Sequence, residues 1–102
     1  MHPLIAKHLP AITAICKRYQ IQRLDVFGSA ATVDEFDPSG SDADFLVEFA
    51  PDARTGLDEF FGVKSEMERL LGRRVDLVET SAVRNPFVQR RMNRQRELVY
   101  GA

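Results

Sequence analysis

The chain has 102 residues, of which 44% are hydrophobic and 28% charged, with a net charge of −1 and one cysteine. We expect residues 1–102 to form a single domain with one modest core. The composition excludes a disordered chain, and the single cysteine excludes an intramolecular disulfide. No apolar run approaches the roughly 20 residues that cross a bilayer, and no signal-peptide core opens the chain, so we expect a cytoplasmic protein.

The charges are distributed unevenly along the chain. Residues 25–59 contain ten acidic side chains and one basic side chain, whereas residues 64–102 contain nine basic and five acidic side chains. An acidic middle favours cation binding, and a basic end favours an acidic partner or a polyanion. The alternative for the basic end is a solvated helix face rich in arginine.

The first predicted element is an amphipathic helix over residues 3–19. Pro10 removes a backbone donor and is expected to kink or split this helix. Cys16 is expected to pack in the core as a small apolar residue. The apolar residues recur at steps of three and four: Ile5, Leu9, Ile12, Ile15, Cys16 and Tyr19.

Strands are predicted at residues 22–27 and 43–49, on either side of a polar, turn-rich segment over residues 34–41. A second amphipathic helix is predicted from Leu57 to Leu71, with Gly72 as its C-terminal cap. Its stripe comprises Leu57, Phe60, Phe61, either Val63 or Lys64, Met67, Leu70 and Leu71.

The last third of the chain begins with a predicted strand at residues 75–78. A helix is predicted from Pro86 to about Gln95, and the apolar run Leu98–Tyr100 is interpreted as a strand or a docking tail. This order of elements predicts an α/β (α+β) fold in which helices cover a small mixed β-sheet.

Two aspartates open the second predicted strand. Asp42 and Asp44 lie two residues apart, so in a strand their side chains point to the same face, about 6.6 Å apart. Close carboxylates repel each other unless a cation lies between them. Mg²⁺ prefers such hard oxygen ligands and leaves positions open for phosphates, so the pair predicts a metal site. The alternative is a solvated turn before an ordinary strand.

The first predicted strand runs into Gly28-Ser29. Glycine permits a sharp turn and lets a phosphate approach the backbone. Ser29 offers a hydroxyl and a backbone N–H to a triphosphate, or alternatively caps a helical turn.

The compound motif of Gly28-Ser29, a spacer, Asp42-Ala43-Asp44 and the following FLVEF resembles the signature of the DNA polymerase beta-like nucleotidyltransferases. It is similar in particular to the MNT-type (minimal nucleotidyltransferase) domains, as are the later VDLVE and the closing ELVY. The resemblance implies the palm-like nucleotidyltransferase fold.

The resemblance also implies a site. Asp42, Asp44 and Asp76 would be the three catalytic, metal-binding carboxylates holding two Mg²⁺ ions, and Asp76 would also help to activate the attacking hydroxyl. Gly28 and Ser29 would hold the phosphates of ATP or another nucleoside triphosphate. Taken alone, Asp76 would be interpreted as an ordinary acid at the end of a strand.

The chain departs from the family pattern in two respects. Members commonly follow Gly-Ser with basic residues and a further glycine, whereas here the run is Ala30-Ala31-Thr32-Val33. The spacer between Ser29 and Asp42 is also two residues longer than usual. Loss of a charge-assisted contact weakens phosphate binding by about 1.5–3 kcal/mol, so we expect reduced activity.

Minimal members of the family often act beside a HEPN-domain partner, as an antitoxin that transfers AMP to the toxin. The resemblance thus implies transfer of a nucleoside monophosphate to a hydroxyl of a partner protein, in a homo- or hetero-oligomer. The alternative is a catalytically degenerate module that neutralises a toxin by contact alone. Direct nucleic-acid binding is not favoured, because no aromatic residues alternate with the basic ones. The basic residues interpreted as partner-facing, or else as solvated, are Arg84, Arg90, Arg91, Arg94 and Arg96.

Overall fold

The computed structural model describes residues 3–27, 43–53, 56–80, 86, 89–90 and 96–101. Three helices and four strands have their full bounds within these ranges. In chain order the elements are α1 (Pro3–Lys7), α2 (Leu9–Arg18), β1 (Ile21–Phe27), β2 (Ala43–Phe49), α3 (Leu57–Leu71), β3 (Val75–Glu79) and β4 (Glu97–Gly101).

The strands form one mixed sheet in the order β3-β2-β1-β4. Strand β1 is antiparallel to both β2 and β4, whereas β2 and β3 are parallel. The parallel pair is joined through α3, because two parallel neighbours need a crossover rather than a tight turn. The predicted small mixed sheet covered by helices is confirmed.

One face of the sheet carries the apolar core. Leu24 and Val26 of β1 and Phe45 of β2 are fully buried there, and they pack in one cluster with Ile12 of α2 and Met67 of α3. Since successive strand residues point to opposite faces, the residues between them lie on the other face of the sheet. We call this second face the open face.

Pro10 divides the N-terminal helix as expected. Helix α1 ends at Lys7, and α2 begins at Leu9, so that Pro10 lies in the first turn of α2, where a missing N–H costs little. His8 bridges the two helices, donating its backbone N–H to the Ile5 carbonyl at 3.1 Å and accepting from the Ile12 N–H at 2.9 Å. The predicted burial of Cys16 is confirmed.

Helix α3 has the predicted bounds and ends at Gly72, whose φ of 67° lies in the left-handed region that glycine tolerates. Its apolar stripe is narrower than predicted. Leu57 is 75% exposed and Phe61 52% exposed, so their assignment to the core was wrong. The two residues lie one helical turn apart and share a face that points away from the buried Val63 and Met67.

A polar contact joins the end of α2 to α3. The Tyr19 hydroxyl donates to Glu66 Oε2 at 2.5 Å, and Arg18 forms an ion pair with the same carboxylate. The bond to the Glu66 carboxylate raises the pKa of Tyr19, and the bond from Tyr19 lowers the pKa of Glu66. Gly62 of α3 packs against this contact, since a Cβ on residue 62 would be 2.8 Å from the Tyr19 hydroxyl.

The C-terminal apolar run forms β4, which confirms the strand interpretation over the docking tail. Residues 86 and 89–90 are helical, in agreement with the predicted helix, and the rest of that helix lies outside the described residues. The predicted polar loop over residues 34–41 also lies outside them. In the described ranges, no helix has the length and apolar character needed to cross a membrane.

Candidate functional site

Asp44 and Asp76 are direct neighbours on the sheet. Asp44 of β2 pairs with Asp76 of β3 in the parallel ladder, so both side chains point to the same face from strands about 4.8 Å apart. Their neighbours Ala43, Phe45 and Val75 are buried on the core side, so the two carboxylates lie on the open face. Asp44 is half-buried and Asp76 is exposed.

Two hydrogen bonds fix this register. The Ala43 N–H donates to the Arg74 carbonyl at 3.0 Å, which aligns the starts of β2 and β3. The Val75 N–H donates to Glu68 Oε2 at 3.0 Å, which ties the start of β3 to the last turn of α3. Both bonds involve a residue next to an aspartate of the pair, so the ladder and the helix position the carboxylates together.

The end of β1 lies beside the same pair. Phe27 is the partner of Asp44 in the antiparallel ladder, and Gly28-Ser29 follows Phe27 directly in sequence. The chain therefore leaves β1 toward Gly28-Ser29 at the strand end where Asp44 and Asp76 lie. Gly28, Ser29 and Asp42 themselves lie outside the described residues, and their predicted roles stay predictions.

The donor chemistry fits a divalent cation. Asp44 and Asp76 present hard carboxylate oxygens from adjacent strands, the ligand type that Mg²⁺ prefers. Asp42 would add a third carboxylate immediately before β2. Within the described ranges, no group of three or more histidine, cysteine, aspartate or glutamate side chains could hold a metal ion. Asp44 and Asp76 as metal ligands thus stay a prediction that their placement supports.

A second feature of the open face was missed by the sequence reasoning. Asp25 of β1 is fully buried, and it is the only buried charged or polar residue among those the structure describes. Arg23 Nε donates to both Asp25 carboxylate oxygens at 3.1 Å, and Arg96 Nε donates to Asp25 Oδ2. The signal in the sequence is an aspartate flanked by Leu24 and Val26 within an apolar strand.

The pairing of Arg96 corrects an earlier interpretation. The prediction that Arg96 belongs to a solvated or partner-facing basic surface is wrong. Its side chain is only 20% exposed and forms an ion pair with Asp25. Arg90 is exposed, as that interpretation requires. Arg84, Arg91 and Arg94 lie outside the described residues.

The Cys16 thiol takes no part in this face of the molecule. It is buried among the core residues, and burial raises its pKa to about 12. A thiol in that state is inert at neutral pH, because the thiolate is the nucleophilic form.

Residues 11–100 match the family model described as the nucleotidyltransferase domain. Two proteins of Methanocaldococcus jannaschii whose names give protein adenylyltransferase as a predicted activity are similar to the chain. One is 28% identical over 81% of this chain and 79% of its own length. The other is 33% identical over 82% of this chain and 80% of its own length.

Solved structures agree with the fold. A structure described as a minimal nucleotidyltransferase is 29% identical, with a TM-score of 0.74 over 91% of this chain and 90% of its own. A toxin–antitoxin structure with AMP-PNP has a TM-score of 0.70 at 18% identity, covering 92% of this chain and 73% of its own. The complex of a tri-AMPylated Shewanella oneidensis HEPN toxin with its MNT antitoxin has a TM-score of 0.68 at 16% identity, covering 96% and 73%. At those identities the last two show a shared fold.

Proposed function

The chain belongs to the nucleotidyltransferase domain family, and from that premise we propose that it transfers AMP from ATP to a hydroxyl of a HEPN-domain partner, as the antitoxin of a toxin–antitoxin pair. The observation that carries the proposal is the pairing of Asp44 with Asp76 on the open face, beside the strand end that leads to Gly28-Ser29. The predicted adenylyltransferase activity of the archaeal relatives and the AMPylated toxin in the Shewanella complex support the choice of AMP and of the partner.

In this proposal Asp42, Asp44 and Asp76 hold two Mg²⁺ ions, and Gly28 and Ser29 hold the triphosphate. The ions, when bound, supply charge neutralisation to the triphosphate and lower the pKa of the attacking hydroxyl. Asp76 is the exposed member of the described pair, so an acceptor side chain of another protein can approach its carboxylate. Asp44 is the half-buried member, held by the ladder on both sides.

The reaction exchanges one P–O bond for another. The acceptor oxygen attacks the α-phosphorus of ATP, the bond from that phosphorus to the bridging oxygen breaks, and pyrophosphate leaves. The hydroxyl proton passes to a carboxylate oxygen of Asp76. Such catalysis depends on positioning and on stabilising charge, which fixed carboxylates on adjacent strands supply.

The test uses ATP labelled at the α-phosphate, Mg²⁺ and the protein encoded by the adjacent gene, which the proposal expects to be a HEPN-domain protein. We expect label on the partner, no label from ATP labelled at the γ-phosphate, and loss of transfer with Asp44→Asn or Asp76→Asn. Glu48→Gln is the matched control, because Glu48 lies on β2 on the same face as Asp44 but at the far end, opposite Arg23. No label transfer with Mg²⁺ or Mn²⁺ would overturn the proposal.

The second candidate is neutralisation of the partner by binding alone. The run Ala30-Ala31-Thr32-Val33, which lacks the basic residue expected after Gly28-Ser29, favours it. Asp42→Asn combined with Asp44→Asn separates the two candidates. If the doubly substituted chain still neutralises the HEPN-domain protein, binding suffices. If it forms the complex without neutralising, transfer is required.

A further inference from the structure

Helix α3 begins with two large apolar side chains that the core does not use. Leu57 is 75% exposed and Phe61 is 52% exposed, and they lie one turn apart on the same face of the helix. We call these two residues the α3 patch. The Phe61 ring lies edge-to-face with Phe60, which packs against the core, and the ring centroids are 5.5 Å apart. Because this contact already restrains the Phe61 ring, the ring would lose little conformational entropy on binding another surface.

A groove lies between the second half of α3 and α2. Its volume is about 390 Å³, near the lower limit for a ligand-sized cleft. Apolar side chains line part of it, Ala11 and Ala14 from α2 and Leu70 from α3, and the two alanines are exposed. Arg18 and Arg69 also line it, and both are exposed. We call this cleft the α2–α3 groove, and its small exposed side chains leave room for a large apolar one.

The charges of the two surfaces are complementary. The first turn of α3, which carries the patch, contains Asp58 and Glu59. Residues 1–24 contain four lysine or arginine residues and no acidic residue, so α2 adds only positive charge to the groove. Glu66 also lines the groove and pairs with Arg18, and two arginines against this carboxylate leave the groove with a net positive charge. An acidic helix start is therefore attracted to the groove.

The patch of one chain cannot fill its own groove. Phe61 precedes Leu70 by nine residues on one continuous helix, which separates them by about 13.5 Å along the helix axis. We propose that the α3 patch of one copy of this chain docks in the α2–α3 groove of a second copy, with the acidic first turn of α3 toward Arg69. Both surfaces lie on the helix side of the sheet, so this contact leaves the open face accessible and does not depend on the proposed function.

The geometry of the contact is heterologous, because the patch and the groove are different surfaces. Sedimentation equilibrium of the full chain over a range of concentrations measures it, and the average mass of the wild type is expected to rise with concentration. Phe61→Lys removes the ring and opposes the positive groove, so the Kd of self-association should rise at least about tenfold. Ala14→Arg fills the groove with a long charged side chain and should raise this Kd by at least as much.

Two matched controls alter exposed residues elsewhere. Leu98 is 51% exposed and pairs with Asp25 on β4, away from the helix side of the sheet, so Leu98→Lys makes the same kind of change as Phe61→Lys at another site. Ala6 is exposed on α1, so Ala6→Arg matches Ala14→Arg. Both control variants are expected to keep the Kd of self-association within about twofold of the wild-type value. If Leu98→Lys weakens self-association as much as Phe61→Lys does, the contact is not specific to the patch and the inference is overturned.

A mixture of the two disrupted variants tests the pairing of patch with groove. Phe61→Lys keeps an intact groove and Ala14→Arg keeps an intact patch, so one contact can form between the two variants and none within either. Each variant alone is expected to be monomeric, and the mixture is expected to form a dimer with one copy of each. A mixture that stays monomeric would show that the patch does not dock in the groove.

The remaining outcomes also decide the matter. A wild-type chain that is monomeric at every concentration overturns the inference, and it does so even if Phe61→Lys weakens binding of the protein encoded by the adjacent gene, which would then be the occupant of the patch. If Phe61→Lys does not fold, Leu57→Lys replaces it: weaker self-association supports the inference, and unchanged self-association overturns it. A chain that self-associates through the patch but transfers no AMP would overturn the proposed function alone.

Discussion

On the core face of the sheet, Leu24, Val26 and Phe45 are fully buried against the helices, whereas the intervening positions on the open face hold Asp25, Asp44 and, on β3, Asp76. The same strands thus contribute the apolar core to one face and these charged groups to the other, where Leu46 is also buried. The period of two along a strand makes this division possible without any change of backbone.

The difference shows how a small sheet can hold acidic groups next to each other. Two carboxylates opposite each other on adjacent strands repel, and such pairs destabilise a sheet by a few tenths to about 1 kcal/mol. Burial of the core face supplies the opposing free energy, at about 25 cal/mol per Å² of apolar surface. The core face therefore fixes the register that brings Asp44 and Asp76 together.

The largest loss of stability is expected on the core face. Among the residues that the structure describes, Phe45 is the largest fully buried side chain, and Phe45→Ala would remove its contacts and leave a cavity, lowering the free energy of unfolding by about 3–5 kcal/mol. Urea denaturation measures the loss. Phe45→Leu, which keeps most of the volume, should lose less than half as much, and equal losses for the two variants would contradict the packing argument.

A smaller loss is expected where the helices meet over the core. An alanine Cβ at position 62 would lie 2.8 Å from the Tyr19 hydroxyl and 3.1 Å from a ring carbon, so the end of the Tyr19 side chain would have to move. Overpacking costs about 1–3 kcal/mol and the helix propensity of alanine returns about 1 kcal/mol, so we expect a net loss of no more than about 2 kcal/mol.

The contact itself can be tested by a double substitution. Tyr19→Phe removes the hydroxyl that an alanine at position 62 would meet first. In that background Gly62→Ala should cost much less than it does alone, as measured by the same denaturation. Additive losses would show that Tyr19 is not what limits the size of residue 62.

The bond between Tyr19 and Glu66 predicts a pH-dependent contribution to stability. Tyr19→Phe should lower the free energy of unfolding by about 1 kcal/mol at pH 7. The pKa of Glu66 is lowered in the fold, so its contribution is complete above the ordinary value of 4.5 and is lost as the pH falls through the lowered pKa. The pKa of Tyr19 is raised, so its contribution is complete below 10.0 and is lost as the pH rises through the raised pKa.

The difference between wild type and Tyr19→Phe should therefore be largest at neutral pH and shrink toward both extremes. Denaturation curves at a series of pH values measure it. Arg18→Gln is the control, because it removes the ion pair with Glu66 but keeps the tyrosine bond, so the alkaline decline should remain. A difference that does not change with pH would contradict the assignment.

Local patterns sufficed to predict much of the fold. The apolar run after Asp44 and the one around Leu77 predicted two strands with a helix between them. The parallel pairing that the structure shows is the one that such a helical connection permits. Gly72 marked the end of α3 because few other residues adopt a positive φ there. The order of strands and the place of β4 beside β1 depend on packing that no local pattern encodes.

The residues of the candidate site also differ in how far the sequence predicts them. The sequence singles out Asp44 and Asp76 as candidates, because each lies at the start of an apolar strand and because the compound motif resembles a known family, and the register places the two side by side. The pairing of Asp25 with Arg96 could not be predicted, because it joins residues 71 positions apart through a sheet register that only the fold establishes. Leu57 and Phe61 were misplaced because consecutive aromatic residues in a helix fit more than one apolar stripe.

Asp76→Asn is expected to have the smallest effect on stability and a large effect on the transfer of AMP. Asp76 is exposed and faces Asp44, so without metal Asp76→Asn should raise the free energy of unfolding by only a few tenths of a kcal/mol, through relief of the repulsion between the two carboxylates. Transfer of AMP should fall by at least about a hundredfold, the scale for removing one preorganised electrostatic group. Denaturation in EDTA and the labelled-ATP assay measure the two quantities.

The stabilisation of the fold by Mg²⁺ and ATP should also differ between Asp76→Asn and the wild type. A ligand at 100 times its Kd stabilises a folded chain by about 2.7 kcal/mol, so the melting temperature of the wild type should rise and that of Asp76→Asn should rise much less. Asp58→Asn, in the exposed first turn of α3, removes one acid elsewhere and should respond as the wild type does. If Mg²⁺ and ATP raise the melting temperatures of the wild type, Asp76→Asn and Asp58→Asn equally, the ligand does not bind through Asp76. The proposed role of Asp76 in nucleotide transfer would then be wrong.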